Sequence, residues 1–388
     1  MVNGLMRKPL EDVRVVDMTH VWFGPWCTMM LADMGAEVIR VEPPWGAIDR
    51  ISEGMLFGGA PYTFHHLNQN KKDLALNLKS PEGMKLLKEL IKKSDIVIQN
   101  MSVGTMEKLG LGYEELKKLN PGIIYAALSG YGQYGPYKNR NCYAMFAEAM
   151  SGHTRMTGDG VDPNGPPIEM AMAYGDMGPG SLAAMAILAA LRYRDKTGLG
   201  QMIDVAQLDC MCALNPGITG YFLSGMLNWE MKKKYPSGGI GGLFKAKDGR
   251  WVRVGAFSPS AIENLKKLLN LEDPTEDDVL KFVAARDRDE CVEELVAGDL
   301  PAAPIYQLDE TVKDPHLKAR GMFITLDHPL VGKVTTVNNP IKFSLTPTER
   351  KTAAPIIGQH SREILSQILG LSDAKIEDLI NNGVVASG

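Results

Sequence analysis

Apolar positions along the first third of the chain fall into two alternating periods. Val13–Met18 is a β-branched run that predicts a strand, Gly24–Met34 predicts a helix, and Ala36–Glu42 predicts a second strand. Leu74–Leu78 reads as a short strand closed by Lys79. Ser80 and Pro81 then supply an N-cap and a first helical residue for an amphipathic helix that runs to Lys92. Ile96–Asn100 is the next strand, Tyr113–Leu119 a short helix ended by Asn-Pro-Gly, and Ile123–Ser129 one more strand. That last run is almost wholly apolar, as a strand covered on both faces must be. Such alternation predicts an α/β fold with a doubly wound parallel sheet and ligands at the carboxyl ends of its strands.

The middle of the chain changes character. Ser181–Arg194 is rich in strong helix formers and apolar nearly all round, which predicts a buried helix. Before it, Tyr174-Gly-Asp-Met-Gly-Pro-Gly180 predicts a tight loop, because three glycines and a proline interrupt any regular element. Asp176 is then a lone carboxylate in a glycine frame just ahead of a helix N-terminus, whose dipole favours the ionised form. A capping or turn aspartate and a carboxylate nucleophile both fit that setting. Met202–Gly225 reads as a Met- and Cys-rich helical passage. Tyr235-Pro-Ser-Gly-Gly-Ile-Gly-Gly242 reads as a glycine loop before a strand, either a cover for a site or an interdomain linker. Lys247-Asp-Gly249 is a hairpin turn, followed by the strand Trp251–Val254 and by helical stretches over Ala261–Leu269 and Glu276–Leu295. The expected organisation is a large domain over 1–205, a linker over 206–230, a smaller α+β domain over 231–325, and a segment over 326–388 that returns to the large domain.

Composition narrows the function. The chain has 388 residues, enough for two domains or one large α/β unit, with 45% hydrophobic and 23% charged residues, ordinary for a soluble globular protein. A net charge of −4 argues against a nucleic-acid surface. The most apolar run, Leu182–Leu191, is too short to span a bilayer, and the charged Met1–Asp12 gives no reason to expect a signal peptide or a membrane partner. Cys27, Cys142, Cys210, Cys212 and Cys291 are scattered without a second ligand pair, so free thiols in a cytoplasmic protein and no metal are expected. The first strand–helix–strand unit imitates a dinucleotide fold, and Glu42 stands where a ribose-binding acid would. Its turn, Thr19-His-Val-Trp-Phe-Gly24, has one glycine and two bulky aromatics where a pyrophosphate would lie, so the nicotinamide reading fails.

A series of segments resembles the class III CoA-transferases. They are Asp17-Met-Thr-His-Val21 with Gly24-Pro25, Gly35–Glu42, Asn68-Gln-Asn-Lys-Lys72, Leu76–Gly83, Asp95–Asn100, Leu128–Gly132, Thr197–Gln201, Asp314-Pro-His316 and Pro355–His360. The resemblance implies an interlocked homodimer in which each chain has a Rossmann-like large domain and a small central domain. It implies transfer of coenzyme A, as co-substrate, from an acyl-CoA donor to a free carboxylic acid. Asp176 falls on the family's nucleophile, which forms a mixed anhydride and then an aspartyl-CoA thioester. Gly238, Gly239, Gly241 and Gly242 match the glycine loop that covers these intermediates. Leu76 and Lys79 fall beside the adenosine, Asn100, Met101 and Ser102 follow the next strand end, and Lys108 matches a basic phosphate contact. Asn141 and Tyr143 face the thioester end. Trp22, with Phe23 beside it, stands where some relatives have a glutamine, and Pro43 where they have an arginine; the two aromatics suggest a larger or more apolar acyl group. Glu148 and Arg155 are either acceptor contacts or an exposed salt bridge. A racemase of the same fold would need a histidine at Tyr143, and a non-catalytic acyl-CoA-binding protein would have no use for Asp176.

Overall fold

The computed structural model describes residues 8–51, 54, 56–234 and 238–388. Its contacts divide the chain into two units, residues 1–222 with 321–388, and residues 223–320.

The first unit is built on one sheet. Its strands are β1 (Arg14–Met18), β2 (Glu37–Glu42), β3 (Lys72–Leu76), β4 (Ile96–Gln99), β5 (Ile124–Ser129) and β6 (Met202–Ala206). They lie in the order 3-2-1-4-5-6, all parallel, and the short strand Val385–Ala386 closes the β3 edge antiparallel to it. This is the doubly wound order, in which the chain reverses direction between β1 and β4. Alternate side chains feed opposite faces. Val15, Val38, Ile96 and Ile98 pack with α1 (Phe23–Asp33) and with Ala183, Ile187 and Leu191. Val16, Ile39, Leu74 and Val97 pack with Leu86, Leu87 and Leu90 of α2 (Pro81–Lys92) and with Ile364, Leu365 and Ile376 near the C-terminus. At the start of α2 the Ser80 hydroxyl accepts from the Gly83 N–H, with Pro81 at the first helical position, as the sequence predicted.

Three local expectations are corrected. The glycine-rich segment before Ser181 is not a loop: after α3 (Ala144–Met150), α4 runs unbroken over Tyr174–Thr197 with Pro179 inside it. Proline lacks only the N–H that would reach back to the Gly175 carbonyl, and the side chain of Gln207 donates to that carbonyl instead. Gly180 serves close approach, since a Cβ there would stand 2.8 Å from the Phe23 carbonyl oxygen of α1. Met202–Ala206, read as helical, is the sixth strand, and the helices Gln207–Ala213 and Pro216–Ser224 follow it. The stretch Glu276–Leu295 is two helices, Glu276–Ala284 and Arg288–Ala297, divided at Ala285–Asp287.

The second unit has its own core. A three-stranded antiparallel sheet (Ile240–Lys245, Trp251–Ala256, Ala302–Pro304) packs Val252 and Val254 against Leu265, Val279, Val283 and Leu295 of its helices. The predicted glycine loop is partly strand, because Gly241 and Gly242 pair with Gly255 and Val254. The Phe257 ring lies against this edge, 2.7 Å from where a Cβ on Gly241 would be, so the glycines form a bed for an aromatic. Tyr235, Pro236 and Ser237 of that loop lie outside the described residues.

Candidate active site

A cavity of about 540 Å³ opens at the carboxyl ends of β1, β4 and β5. His20 follows β1, Asn100, Met101 and Ser102 follow β4, and Ser129 and Gly130 end β5. The loop Lys138–Tyr143, with Arg140, Asn141 and Cys142, completes the wall. This is the crevice where the strand order reverses, the place a doubly wound sheet reserves for ligands. Asn100 ties its two edges together: its Nδ2 donates to the His20 carbonyl at 2.8 Å, and its Oδ1 accepts the His20 N–H at 3.0 Å. The next residue, Val21, sits at φ 70°, a conformation a β-branched residue adopts only under constraint. The Asp49 carboxylate, accepting the Val21 N–H at 3.2 Å, and the Asn100 clamp supply that constraint. Burial pushes the His20 imidazole below its usual value, with Asp49 opposing, so the ring facing the cavity is neutral at pH 7.

Beneath β1 lies a charge network with no counterpart in the sequence reading. Asp17, wholly buried, accepts from the hydroxyls of Thr19 and Thr28 and from Lys71 Nζ at 3.1 Å, and Lys71 also reaches Asn68 Oδ1 at 2.9 Å. Arg40 Nη2 pairs with Asp49 Oδ1 at 2.7 Å, and Arg50 pairs with Glu42. Glu42 is therefore a structural partner and not a ribose ligand. Four carboxyls (Asp17, Glu42, Asp49, Asp73) meet three cations (Arg40, Arg50, Lys71). One proton restores the balance. Burial, together with a hydrogen bond and the charge of Glu42, raises Asp73 well above its ordinary value. Glu42 resists burial through its hydrogen bonds to Asp73 and Arg50 and falls to about 2. Burial also lowers Lys71 to about 8, against the pull of Asp17. The network fixes the turn from β1 into α1 that carries His20 and Val21.

Asp176 stands in the first turn of α4, buried, with no cation paired to it among the described residues. Its Oδ1 accepts from Gln207 Nε2 at 2.5 Å. Glu148 of α3 is also buried, and its Oε1 accepts the Gly175 N–H at 2.7 Å, one of the free amides of the α4 N-terminus. Burial raises the Asp176 carboxyl to about 7; the Glu148 charge adds to the rise and the Gln207 hydrogen bond opposes it. The helix dipole alone suggested an ionised group, but burial and a like charge outweigh it. Burial raises the thiol of Cys142, which lines the cavity, and the charge of the nearby Asp176 adds to the rise.

Of the residues singled out from sequence, the structure brings Asn100, Met101, Ser102, Asn141 and Tyr143 together around the cavity, with Asp176 beside it. Leu76 is fully buried at the end of β3, within the core. Lys79 is exposed with its Nζ 5.6 Å from the Trp45 ring, and Lys108 is exposed at the end of a short helix. Phe23 is buried between sheet and α4, and Trp22 is half-buried just before α1. Glu148 does not pair with Arg155, which instead pairs with Asp159 at 2.6 Å. Gly238, Gly239, Gly241 and Gly242 belong to the second unit. Gln207 was missed, because the segment Met202–Ala206 before it was read as helical and nothing in its own neighbourhood set it apart. Among the described residues, no group of three or more His, Cys, Asp or Glu converges as a metal site would, and no helix is long and apolar enough to cross a membrane.

A doubly wound sheet, a polar cavity at its switch point and an unpaired buried carboxyl define an α/β enzyme with a candidate acyl-accepting acid. Residues 10–361 match the model of CoA-transferase family III. The chain is 33% identical over 402 residues to succinyl-CoA:glutarate CoA-transferase of Mus musculus, covering 97% of this chain and 90% of that protein. It is 32% identical to formyl-CoA:oxalate CoA-transferase of Streptomyces avermitilis, covering 98% of this chain and all of the relative. A solved CAIB/BAIF family protein from Brucella suis superposes with a TM-score of 0.82 at 29% identity, over 94% of this chain and 100% of that one. The chain belongs to CoA-transferase family III and is a CoA-transferase.

Proposed function

We propose that this protein moves CoA from an acyl-CoA thioester to a free carboxylic acid through covalent intermediates on Asp176. An Asp176 carboxylate oxygen attacks the thioester carbonyl; the C–S bond breaks and CoA leaves as the thiolate, giving a mixed anhydride. The thiolate then attacks the aspartyl carbonyl and releases the donor acid, leaving an aspartyl-CoA thioester. The acceptor carboxylate attacks that thioester, freeing the thiolate again, and the thiolate takes the acceptor acyl group and restores the carboxylate. The overall exchange trades one thioester for another of similar energy, the anhydrides being higher-energy intermediates on the way, and each step is an acyl transfer in which no atom changes oxidation state.

One observation carries this reading: a buried carboxyl that, among the described residues, has no cation to neutralise it and is hydrogen-bonded only through a neutral side-chain amide, beside a polar cavity at the strand ends. A structural aspartate in such a place would be paired. The CoA moiety fits the cavity walls of Asn100, Ser102, Lys138, Arg140 and Asn141, with Tyr143 toward the acyl end. Lys79 and Lys108, both exposed, are in reach of solvent-side phosphates. Gly238–Gly242 as the cover over the intermediates, and two interlocked copies, complete the reading. The exposed Tyr221 and Phe222 are the kind of apolar surface that a second copy covers. Relatives named for succinyl-CoA and glutarate make that pair the first to test. With succinyl-CoA and a panel of acids, Asp176→Ala is expected to abolish exchange and the hydroxylamine-trappable CoA adduct. Exchange at the wild-type rate in that variant would overturn the assignment.

A further inference from the structure

Gln207 opens the helix Gln207–Ala213 directly after β6, and the Leu208 N–H bonds the Gly130 carbonyl at 3.0 Å, anchoring that helix to the end of β5. Its side chain is buried and turned back onto α4. Both contacts run through Nε2: to the Gly175 carbonyl at 3.2 Å and to Asp176 Oδ1 at 2.5 Å. The amide cannot be reversed, because its oxygen would then face a carbonyl and a carboxyl oxygen. The helical acceptor position of the Gly175 carbonyl is vacant because Pro179, four residues on, brings no N–H to it, and the glutamine amide takes its place. A proline inside the second turn of a helix thus provides the second anchor for the glutamine. Asp176 Oδ2 has no hydrogen bond among the described residues, and it is not one of the sealed, unpartnered atoms, so it is open to an incoming group.

We propose that Gln207 is the positioning residue of Asp176, holding Oδ1 through a carboxamide aligned by the proline-freed carbonyl and leaving Oδ2 as the attacking oxygen. A neutral donor suits this task. It favours the carboxylate over the acid without pairing it to a cation, which would blunt its nucleophilicity. The inference rests on Asp176 acting as the nucleophile. The charged or titratable groups around Asp176 are Glu148 from α3 and Cys142 from the cavity wall, and neither donates to its Oδ1.

The test is a ¹³C NMR titration of the Asp176 carboxyl in the full chain, its signal assigned by its loss in Asp176→Asn. In Gln207→Leu, which fills the same space without a donor, the midpoint is expected to rise by about one unit or more, tenfold in the ionisation constant. Gln207→Glu, of the same shape, donates only while protonated. In it the Asp176 titration is expected to become biphasic, with the second step above the wild-type midpoint. An Asp176 midpoint unmoved in either folded variant overturns the role of Gln207. Should Gln207→Leu fail to fold, the Gln207→Glu titration decides by itself. The outcomes separate from those of the underlying reading: full exchange by Asp176→Ala would remove the nucleophile and leave the titration result standing.

Discussion

Replacing Glu148 by glutamine removes one charge and almost nothing else. Glu148 is buried, and its Oε1 accepts the Gly175 N–H at 2.7 Å; a glutamine amide oxygen can take the same bond in the same volume. The variant loses the negative charge adjoining Asp176, the second-largest reason, after burial, that the Asp176 carboxyl sits near 7. A like charge at this range inside a protein shifts a carboxyl by about one unit, or about 1.4 kcal/mol between its two protonation states. In the mechanism proposed above the attacking form is the carboxylate, so the rate of exchange is expected to rise with pH as Asp176 loses its proton. In Glu148→Gln that rising limb is expected to move down by about one unit, to near pH 6. The sign is unusual for an active-site substitution, because the variant should be several-fold faster than the wild type at pH 6 and equal to it above pH 8. The assay is single-turnover loss of acyl-CoA from pH 5 to pH 9, with the Tm recorded at each pH. A limb that stays in place, or one displaced upward, would refute the electrostatic account of Asp176.

Two further outcomes follow from the buried charges. The folded-state pKa of Asp176 lies above its unfolded value, so the unfolded chain releases this proton first; the group weakens the fold above the unfolded pKa near 4, and fully so above about 7. Asp176→Asn should therefore stabilise the protein at pH 8 by up to about 4 kcal/mol and by almost nothing at pH 4, read from urea midpoints at the two pH values. Lys71→Met should act the other way at pH 7. It leaves Asp17 buried without its cation and should cost about 3–5 kcal/mol, recovered in part by adding Asp17→Asn. An Asp17→Asn addition that recovers nothing would mean that packing, not charge, holds that corner.

How much of this could be read from the chain depends on how far apart the partners lie. The frame of the fold was local and legible. Val13–Met18, Ile96–Asn100 and Ile123–Ser129 are apolar on both sides because both faces of the sheet are covered, and Ser80-Pro81 marks a helix start by chemistry confined to four residues. What local chemistry cannot carry was misread. Met202–Ala206 lies at the sheet edge with Met202 and Asp204 exposed and only Val205 and Ala206 buried, so it carries too short an apolar run to mark a strand, and the Met- and Cys-rich helix after it dominates the pattern. The segment before Ser181 looked like a loop because Gly, Gly, Pro and Gly each disfavour a helix. The penalty of Pro179 is one missing bond, and the group that makes it good is Gln207, beyond a whole helix and strand.

The same division separates Asp176 from its setting. Asp176 stood out in the sequence because small residues frame it, and those residues are now seen to serve packing: Gly180 lets α4 press onto α1, bringing the first turn of α4 down beside the strand ends. What makes the carboxyl chemically unusual came from elsewhere, Glu148 on α3 and Gln207 after β6, each an ordinary polar residue by its own neighbourhood. Burial raises the acid form, Glu148 raises it further, and Gln207 pulls it back toward the carboxylate. A carboxyl held near neutrality by opposed effects is partly ionised at working pH, as the proposed attack on a thioester requires. Neither neighbour is idle in that balance: Glu148 adds to the rise that burial causes, and Gln207 opposes it.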